Sequence, residues 1–162
     1  MLKFVCPLIC VEDISRSRHF YKNILKQEVL YDFGENVTFK GDFAIHLKGH
    51  FQELLGEPAK YPVTFKTNSY ELYFETDELE IMLKRLVENS IEFIHKILEH
   101  PWGQRAMRVY DPDGHIIEIG EPMELVIKRF HNKGFSADEI CKKTYMPKDI
   151  VMQITKETKN ES

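Results

Sequence analysis

Apolar and polar residues follow the same order twice along this chain. In each half a strand-like run leads into apolar positions with helical spacing, and three further strand-like runs follow. The repeated order predicts two βαβββ modules, at about residues 3–49 and 70–121. The runs are KFVCPLICV, SRSRHFYKNILK, EVLYDF, NVTFK and DFAIHLK in the first module, and YELYFE, ELEIMLKRLVENS, IEFIHKI, RAMRVY and HIIEIG in the second.

The stretch between the modules has a different texture. Residues 50–69 contain a glycine and two prolines and show no clear periodicity, so we expect an irregular linker there. The two modules and the linker together make a domain over residues 1–122. At the other end of the chain, residues 155–162 are polar and are expected to form a frayed tail.

Residues 123–154 form a helical extension after the second module. Their apolar residues have helical spacing that is split by Gly134, and Ser136 with Glu139 makes a capping box. The segment resembles a helix-turn-helix, although a DNA-binding helix-turn-helix usually has a more basic recognition helix. We therefore expect these helices to pack on the domain or across a dimer.

Strand alternation places an ionisable side chain opposite the apolar face in three strands of the repeat. These residues are His46 in DFAIHL, Glu71 in YELYF and Glu118 in HIIEIG. A buried unpaired carboxylate is costly, so Glu71 and Glu118 must be solvated, paired or bound to a metal. If the sheets curl, the three side chains converge in a concave site. The other interpretation is that they are ordinary solvent-side residues of half-exposed sheets.

The composition is that of a soluble globular protein. Of 162 residues, 43% are apolar and 30% are charged, and the net charge of −4 does not favour nucleic acid or an anionic membrane as a partner. No apolar run reaches the roughly 18 residues of a transmembrane helix. Cys6, Cys10 and Cys141 show no CxxC spacing and do not suit a disulfide framework, so we expect a cytoplasmic location.

Three motifs in this repeat carry a resemblance to a known family. VEDISRSRHFYKNIL opens the first module, ELYFETD opens the second, and DPDGHIIEIGE ends it. Over residues 3–121 the chain resembles the vicinal oxygen chelate superfamily, which includes glyoxalase I, bleomycin-resistance proteins and extradiol dioxygenases. The resemblance implies an α+β fold, in which two βαβββ modules form a curved mixed-sheet cup with helices on the outer face, and it implies a homodimer.

The resemblance also implies a metal site. By position, the family's ligands fall on Cys6, His46, Glu71 and Glu118, although the glyoxalase pattern has histidine at the first and third of these positions and glutamate at the second. Such a donor set suits Zn²⁺, Ni²⁺, Fe²⁺ or Mn²⁺. The metal would act as a Lewis acid on two neighbouring substrate oxygens, and Glu71 or Glu118 would move a proton as the catalytic carboxylate.

Two functions remain open at this point. The first is a metal-dependent small-molecule enzyme with lyase, isomerase or dioxygenase-like chemistry. The second is a metal-free protein of the bleomycin-resistance type, which binds a small aromatic or antibiotic-like molecule in a cup lined by Tyr73, Trp102, Leu8 and Ile116. In that case the acids are paired with Arg105, Arg108 or His46. For either function the candidate substrate-binding residues are Tyr73, Trp102, Arg105 and Arg108.

Overall fold

The structure is a computed structural model that describes residues 1–57 and 60–160. It contains two four-stranded mixed sheets together with helices, and this confirms the predicted α+β fold class. Positions 58–59, which the sequence assigns to the linker, and 161–162, which it assigns to the tail, lie outside the described residues.

The first module forms a sheet of four short strands, in which one pair of neighbouring strands is parallel. The strands are β1 (Leu8–Val11), β2 (Val29–Asp32), β3 (Asn36–Phe39) and β4 (Phe43–Leu47). They lie in the order β1-β4-β3-β2. β1 runs parallel to β4, whereas β3 is antiparallel to both of its neighbours.

The first strand is shorter than the sequence predicts. A strand is expected over residues 3–11, but β1 begins only at Leu8. Pro7 has no N–H group for a strand ladder, although its carbonyl accepts a hydrogen bond from Ala44 N at 3.0 Å. Cys6 therefore precedes the strand, and the cysteine that pairs with His46 in the β1–β4 register is Cys10.

The helical segment of the first module packs on its sheet and contributes buried aromatic side chains to the core. α1 (Ile14–His19) is capped by Asp13, whose carboxylate accepts a hydrogen bond from Arg16 N at 2.9 Å. The helix continues as a π-helical segment, Phe20–Ile24. The ring of Tyr21 is fully buried and lies 5.6 Å from Phe39 and 5.3 Å from Phe43 between ring centroids. These aromatic contacts hold the helix on the apolar face of the sheet.

The linker prediction is wrong at its start. Residues 50–54 belong to a helix, α2 (Lys48–Leu54), which follows β4 directly and packs against β1 and β4. The helix carries Phe51 and His50 onto the same side of the sheet as His46, and both rings contact the His46 ring. Because the run has no long apolar stripe, its helical state depends on this packing rather than on local periodicity.

The second module repeats the topology. Its strands are β5 (Glu71–Glu75), β6 (Phe93–Glu99), β7 (Arg105–Tyr110) and β8 (Ile116–Gly120), and its helix is α3 (Leu79–Glu88). The strand order β5-β8-β7-β6 matches that of the first sheet. The strand-like runs of the sequence are therefore confirmed in both modules, with boundaries shifted by a few residues.

The chain forms two compact units that do not coincide with the two modules. The first consists of Met1–Glu71, Arg85–Glu92 and Tyr110–Ile116, and the second of Leu72–Lys84, Phe93–Val109 and the chain from Ile117 onward.

The turn before β8 belongs to the first unit because its acid side chains bind the first helix. The Asp113 carboxylate accepts hydrogen bonds from Ser17 Oγ at 2.9 Å, from Arg16 Nη2 at 2.6 Å and from the backbone N–H of Glu12 at 3.1 Å. These bonds satisfy a carboxylate that is 8% exposed.

Three helices follow the second module, where two helical patterns are predicted. They are α4 (Met123–Asn132), α5 (Ala137–Thr144) and α6 (Lys148–Asn160), and they share a small core of Val126, Ile127, Phe130, Ile140 and Val151. The capping box at Ser136 and Glu139 is confirmed. Residues 155–160, which the sequence assigns to the tail, continue α6, and Thr155 is buried.

Within the second unit, one buried acid joins α4 to the second sheet and to the loop before β7. Glu121 is 1% exposed; Arg129 of α4 binds its carboxylate, as does Arg105, and the Arg129 guanidinium also donates to the Gly103 carbonyl. A Cβ atom at Gly103 would lie 2.4 Å from the Phe130 ring, so the close approach of loop and helix requires glycine there. None of the helices in the described part of the chain is long and apolar enough to cross a membrane.

Candidate functional site

The face of the second sheet that carries Glu118 is polar and partly open. Ile117 and Ile119 are buried on one side of β8, so alternation turns Glu118 to the other side. Glu118 is only 7% exposed, and its carboxylate forms an ion pair with the Arg108 guanidinium on β7. Arg108 Nη1 also lies 3.3 Å from His95 Nε2 on β6. The glutamate in this apolar strand is therefore paired, as a buried charge requires.

A second group of polar side chains lies on the same face. Gln104 Nε2 donates to Tyr73 Oη at 2.7 Å and to the Glu121 carbonyl at 2.9 Å, and Gln104 Oε1 accepts from Trp102 Nε1 at 3.0 Å. A Cβ atom at Gly120 would lie 3.1 Å from Gln104 Nε2, so the glycine makes room for this network. We call Tyr73, Gln104, Arg108 and Glu118 the polar cluster.

Tyr73 is the member of the polar cluster with the most contact with solvent. Its side chain is 48% exposed, and its hydroxyl donates to Glu75 Oε1 at 2.8 Å. Burial of the phenol and the hydrogen bond to Glu75 raise the pKa of Tyr73 to about 12, and the charge of Glu118 adds to the effect. The hydroxyl therefore remains protonated at neutral pH and can both donate and accept hydrogen bonds.

Gln104 is not among the residues predicted from the sequence, and Arg105, which is, already has two acidic partners. Gln104 lies just before β7, where alternation does not decide the direction of a side chain. Arg105 Nη1 lies 2.6 Å from Glu80 and Nη2 lies 3.1 Å from Glu121, so its charge is used to join α3 to the end of β8. Trp102 stacks on the His100 ring at 4.5 Å between centroids and donates a hydrogen bond to Gln104 of the polar cluster.

His46 occupies the equivalent position in the first sheet and is covered by α2. It is 6% exposed, its Nε2 lies 2.7 Å from His50 Nδ1, and the Phe51 ring packs against it at 5.8 Å. Burial, and secondarily the neighbouring His50, lower the pKa of His46. Among the described residues, its Nδ1 is a buried atom without a hydrogen-bond partner.

The four proposed metal ligands do not make a metal site within either unit. Cys6 lies outside the strand, Glu71 is exposed at the first residue of β5, His46 is bonded to His50, and Glu118 is bonded to a guanidinium. In the ranges 1–57 and 60–160, no group of three or more histidine, cysteine, aspartate or glutamate side chains is arranged to hold a metal ion. A cation beside Glu118 would also meet the like charge of Arg108.

With this fold and this site established, comparison with known proteins identifies the family. The family model described as a glyoxalase-like domain matches residues 4–124. The chain therefore belongs to the glyoxalase-like family of the vicinal oxygen chelate superfamily, as its motifs predict. The match ends where the C-terminal helices begin.

Solved structures agree with this assignment. A protein of unknown function from Agrobacterium tumefaciens str. C58 has a TM-score of 0.67 and 35% sequence identity, over 75% of this chain and 95% of that chain. A glyoxalase-related enzyme from Fulvimarina pelagi has a TM-score of 0.63 and 23% identity, over 75% and 90% of the two chains. A lactoylglutathione lyase from Agrobacterium tumefaciens has a TM-score of 0.57 and 19% identity, over 76% and 96%. The last two share the fold alone. A comparison with curated proteins finds no match.

Proposed function

We propose that this protein binds a small organic molecule at the polar cluster without a metal ion, in the manner of a binding or sequestration protein. The observation that carries the proposal is the buried ion pair between Glu118 and Arg108. A carboxylate that already neutralises a guanidinium has little electrostatic reason to bind a divalent cation, and displacing the arginine would leave its charge without this partner.

The ligand class follows from the chemistry of the exposed groups. Glu118 and Arg108 cancel each other's charge, and the side chains next to them, Tyr73 and Gln104, are neutral. The half-exposed Tyr73 ring offers an aromatic surface. The donors of Tyr73 and Gln104 are already used, so Tyr73 Oη and Gln104 Oε1 offer acceptor lone pairs to a ligand that donates. A neutral aromatic molecule with an amide or hydroxyl group complements these features.

The second candidate is a metal-dependent lyase, isomerase or dioxygenase-like enzyme. It is favoured by membership of the glyoxalase-like family and by the position of Glu118 on the last strand of its module. The observed partners of Glu118 and His46 argue against it. The small-molecule partner, a homodimer, a cytoplasmic location and the absence of a nucleic acid partner remain predictions of the sequence.

Trp102 provides a specific test because it is the only tryptophan in the chain and is joined to Tyr73 through Gln104. Benzamide is added to chelator-treated protein while tryptophan fluorescence is recorded. We expect a saturable change in emission, and binding about tenfold weaker in Tyr73→Phe and Gln104→Leu, as for the loss of one buried hydrogen bond.

The matched control is Tyr31→Phe, which removes a hydroxyl from a half-exposed tyrosine of β2 that lies outside the polar cluster and should leave the titration unchanged. Added Zn²⁺, Ni²⁺, Fe²⁺ or Mn²⁺ should not alter the affinity for benzamide. If benzamide binds only after a metal is added, and the Glu118→Gln variant loses this effect, the metal-dependent enzyme is the correct function and our proposal is wrong.

A further inference from the structure

The first unit contains a cavity that shares no lining residue with the polar cluster. Its volume is about 330 Å³, and it is lined by β1, by the chain from 63 to 70 and by the start of β8. Leu8, Ile9 and Val63 supply apolar surface, and Cys10, Tyr70 and His115 supply polar atoms. The volume falls at the lower end of the range for ligand pockets, roughly 300–1,000 Å³.

His115 is held in this wall by a buried aspartate. His115 Nδ1 lies 2.8 Å from Asp111 Oδ2, which also accepts from Tyr21 Oη at 2.7 Å. Asp111 Oδ1 accepts from the backbone N–H groups of Asp113 and His115 at 2.9 and 2.8 Å. An aspartate carboxylate only accepts hydrogen bonds, so His115 Nδ1 donates to Asp111, and in the corresponding neutral tautomer Nε2 keeps a lone pair.

The position of the His115 ring is further limited by two aromatic neighbours. The centroid of Tyr70 lies 5.7 Å from that of His115, and the centroid of Phe65 lies 6.0 Å away in an edge-on arrangement. The His115 residue is 9% exposed. The ring that Asp111 orients is therefore kept in one place, and Nε2 is the nitrogen left for a partner in the cavity.

The described cavity wall carries no unpaired charge. Among the described residues that line the cavity, Lys66 has a charged side chain. Its ammonium lies 2.9 Å from Glu92 Oε1 and 4.5 Å from the centroid of the Tyr110 ring. Burial raises the pKa of the Cys10 thiol, which favours its neutral form. An ion in this cavity would lack a counter-charge, so the wall favours a neutral ligand.

We propose that this cavity is a second binding site, which takes a small neutral aromatic molecule whose single hydroxyl group donates a hydrogen bond to His115 Nε2. The apolar wall and the Tyr70 ring bind the aromatic body, and Asp111 acts as a positioning residue that sets the His115 tautomer. No residue of the polar cluster lines this cavity. The second site therefore does not depend on whether the polar cluster binds a ligand or a metal ion.

The test uses p-cresol and p-xylene, which differ only in a hydroxyl in place of a methyl group. N-ethylmaleimide labels the three thiols, and peptide mass spectrometry follows each one separately. We expect p-cresol to slow the labelling of Cys10 saturably, p-xylene to protect it at least tenfold less well, and Cys141, in α5 of the second unit, to be unaffected by either compound.

Two variants separate the hydrogen bond from a general effect on folding. His115→Phe keeps a planar ring and should weaken protection by p-cresol about tenfold while leaving p-xylene unchanged. His131→Gln, in α4, is the matched control and should leave both compounds unchanged. Equal protection by p-cresol and p-xylene in the unmodified protein would overturn the role of His115, and no protection of Cys10 by p-cresol up to its solubility limit would overturn the site.

Discussion

His46 and Glu118 occupy equivalent strand positions in the two modules, and the fold buries them in different ways. They are 6% and 7% exposed. His46 is covered by a helix that follows its own strand, and its neighbours there are His50 and Phe51. Glu118 is covered by a cation from the neighbouring strand.

The difference follows from the charge of each side chain. Imidazole can be buried in its neutral form, so aromatic cover is sufficient and lowers its pKa. A carboxylate without a partner costs several kilocalories per mole in such a place, so the second sheet uses Arg108. The cover over His46 closes that part of the first sheet, whereas Tyr73 beside Glu118 stays half exposed, and this is why the second sheet carries the proposed ligand site.

The largest expected effect comes from Arg108→Met. Removing the guanidinium takes the cationic partner from a buried carboxylate, and we expect the free energy of unfolding to fall by about 3 kcal/mol in urea titrations. Arg18→Met, which breaks the exposed pair with Asp32, is the matched control and should cost less than about 1 kcal/mol. The double variant Arg108→Met with Glu118→Gln should recover most of the loss. A double variant as unstable as Arg108→Met would show that charge pairing is not what Glu118 needs.

A smaller effect is expected for Phe51→Ala in the first sheet. Because Phe51 is only half buried, its truncation should cost about 2 kcal/mol, less than for a core phenylalanine. The pKa of His46 should also rise toward its usual value as water reaches the ring, and an NMR titration of the imidazole measures this. Phe33→Ala, at a ring that is 72% exposed, should change neither quantity. An unchanged His46 pKa in Phe51→Ala would contradict cover as the cause of the shift.

The pH dependence of stability provides a third test of the same contrast. Since the folded protein lowers the pKa of His46 below its unfolded value of 6.5, the unfolded state binds a proton more readily. The stability contributed by His46 is fully present above the unfolded pKa of 6.5, and it is lost as the pH falls below 6.5 toward the lower pKa of the folded state.

Urea midpoints at about pH 7.5 and about pH 5.5 should therefore differ less in His46→Gln than in the unmodified protein. His19→Gln, on the first helix, is the control and should keep the full difference. If His46→Gln also keeps the full difference between the two urea midpoints, the pH dependence of stability comes from other groups.

The smallest effect concerns the hydroxyl of Tyr73. In Glu75→Gln, the pKa of Tyr73 should fall from about 12 toward its ordinary value of 10.0, because a carboxylate acceptor and its charge are lost. NMR of ring-labelled tyrosine measures this, and Tyr73→Phe assigns the signal. An unchanged pKa would mean that burial alone determines it, and Glu118→Gln would then be expected to have no effect either.

Sequence periodicity was sufficient for the repeated modules, because alternation and helical spacing are local properties of a strand or a helix. It correctly placed Glu118 on the face opposite Ile117 and Ile119. It did not find α2, whose helical state comes from packing on β1 and β4. It also extended β1 through Pro7 and so placed Cys6 on the strand, whereas β1 begins at Leu8 and Cys6 precedes it.

The sequence by itself determined the fold class, the family and the faces of the strands, since these depend on residue types at short spacings. The partners of each buried polar side chain were decided by the tertiary structure. Arg108 and Glu118 are 10 positions apart in the sequence, and Asp113 and Ser17 are 96 positions apart. Such pairings depend on strand order and on the packing of helices, and no spacing along one strand encodes them.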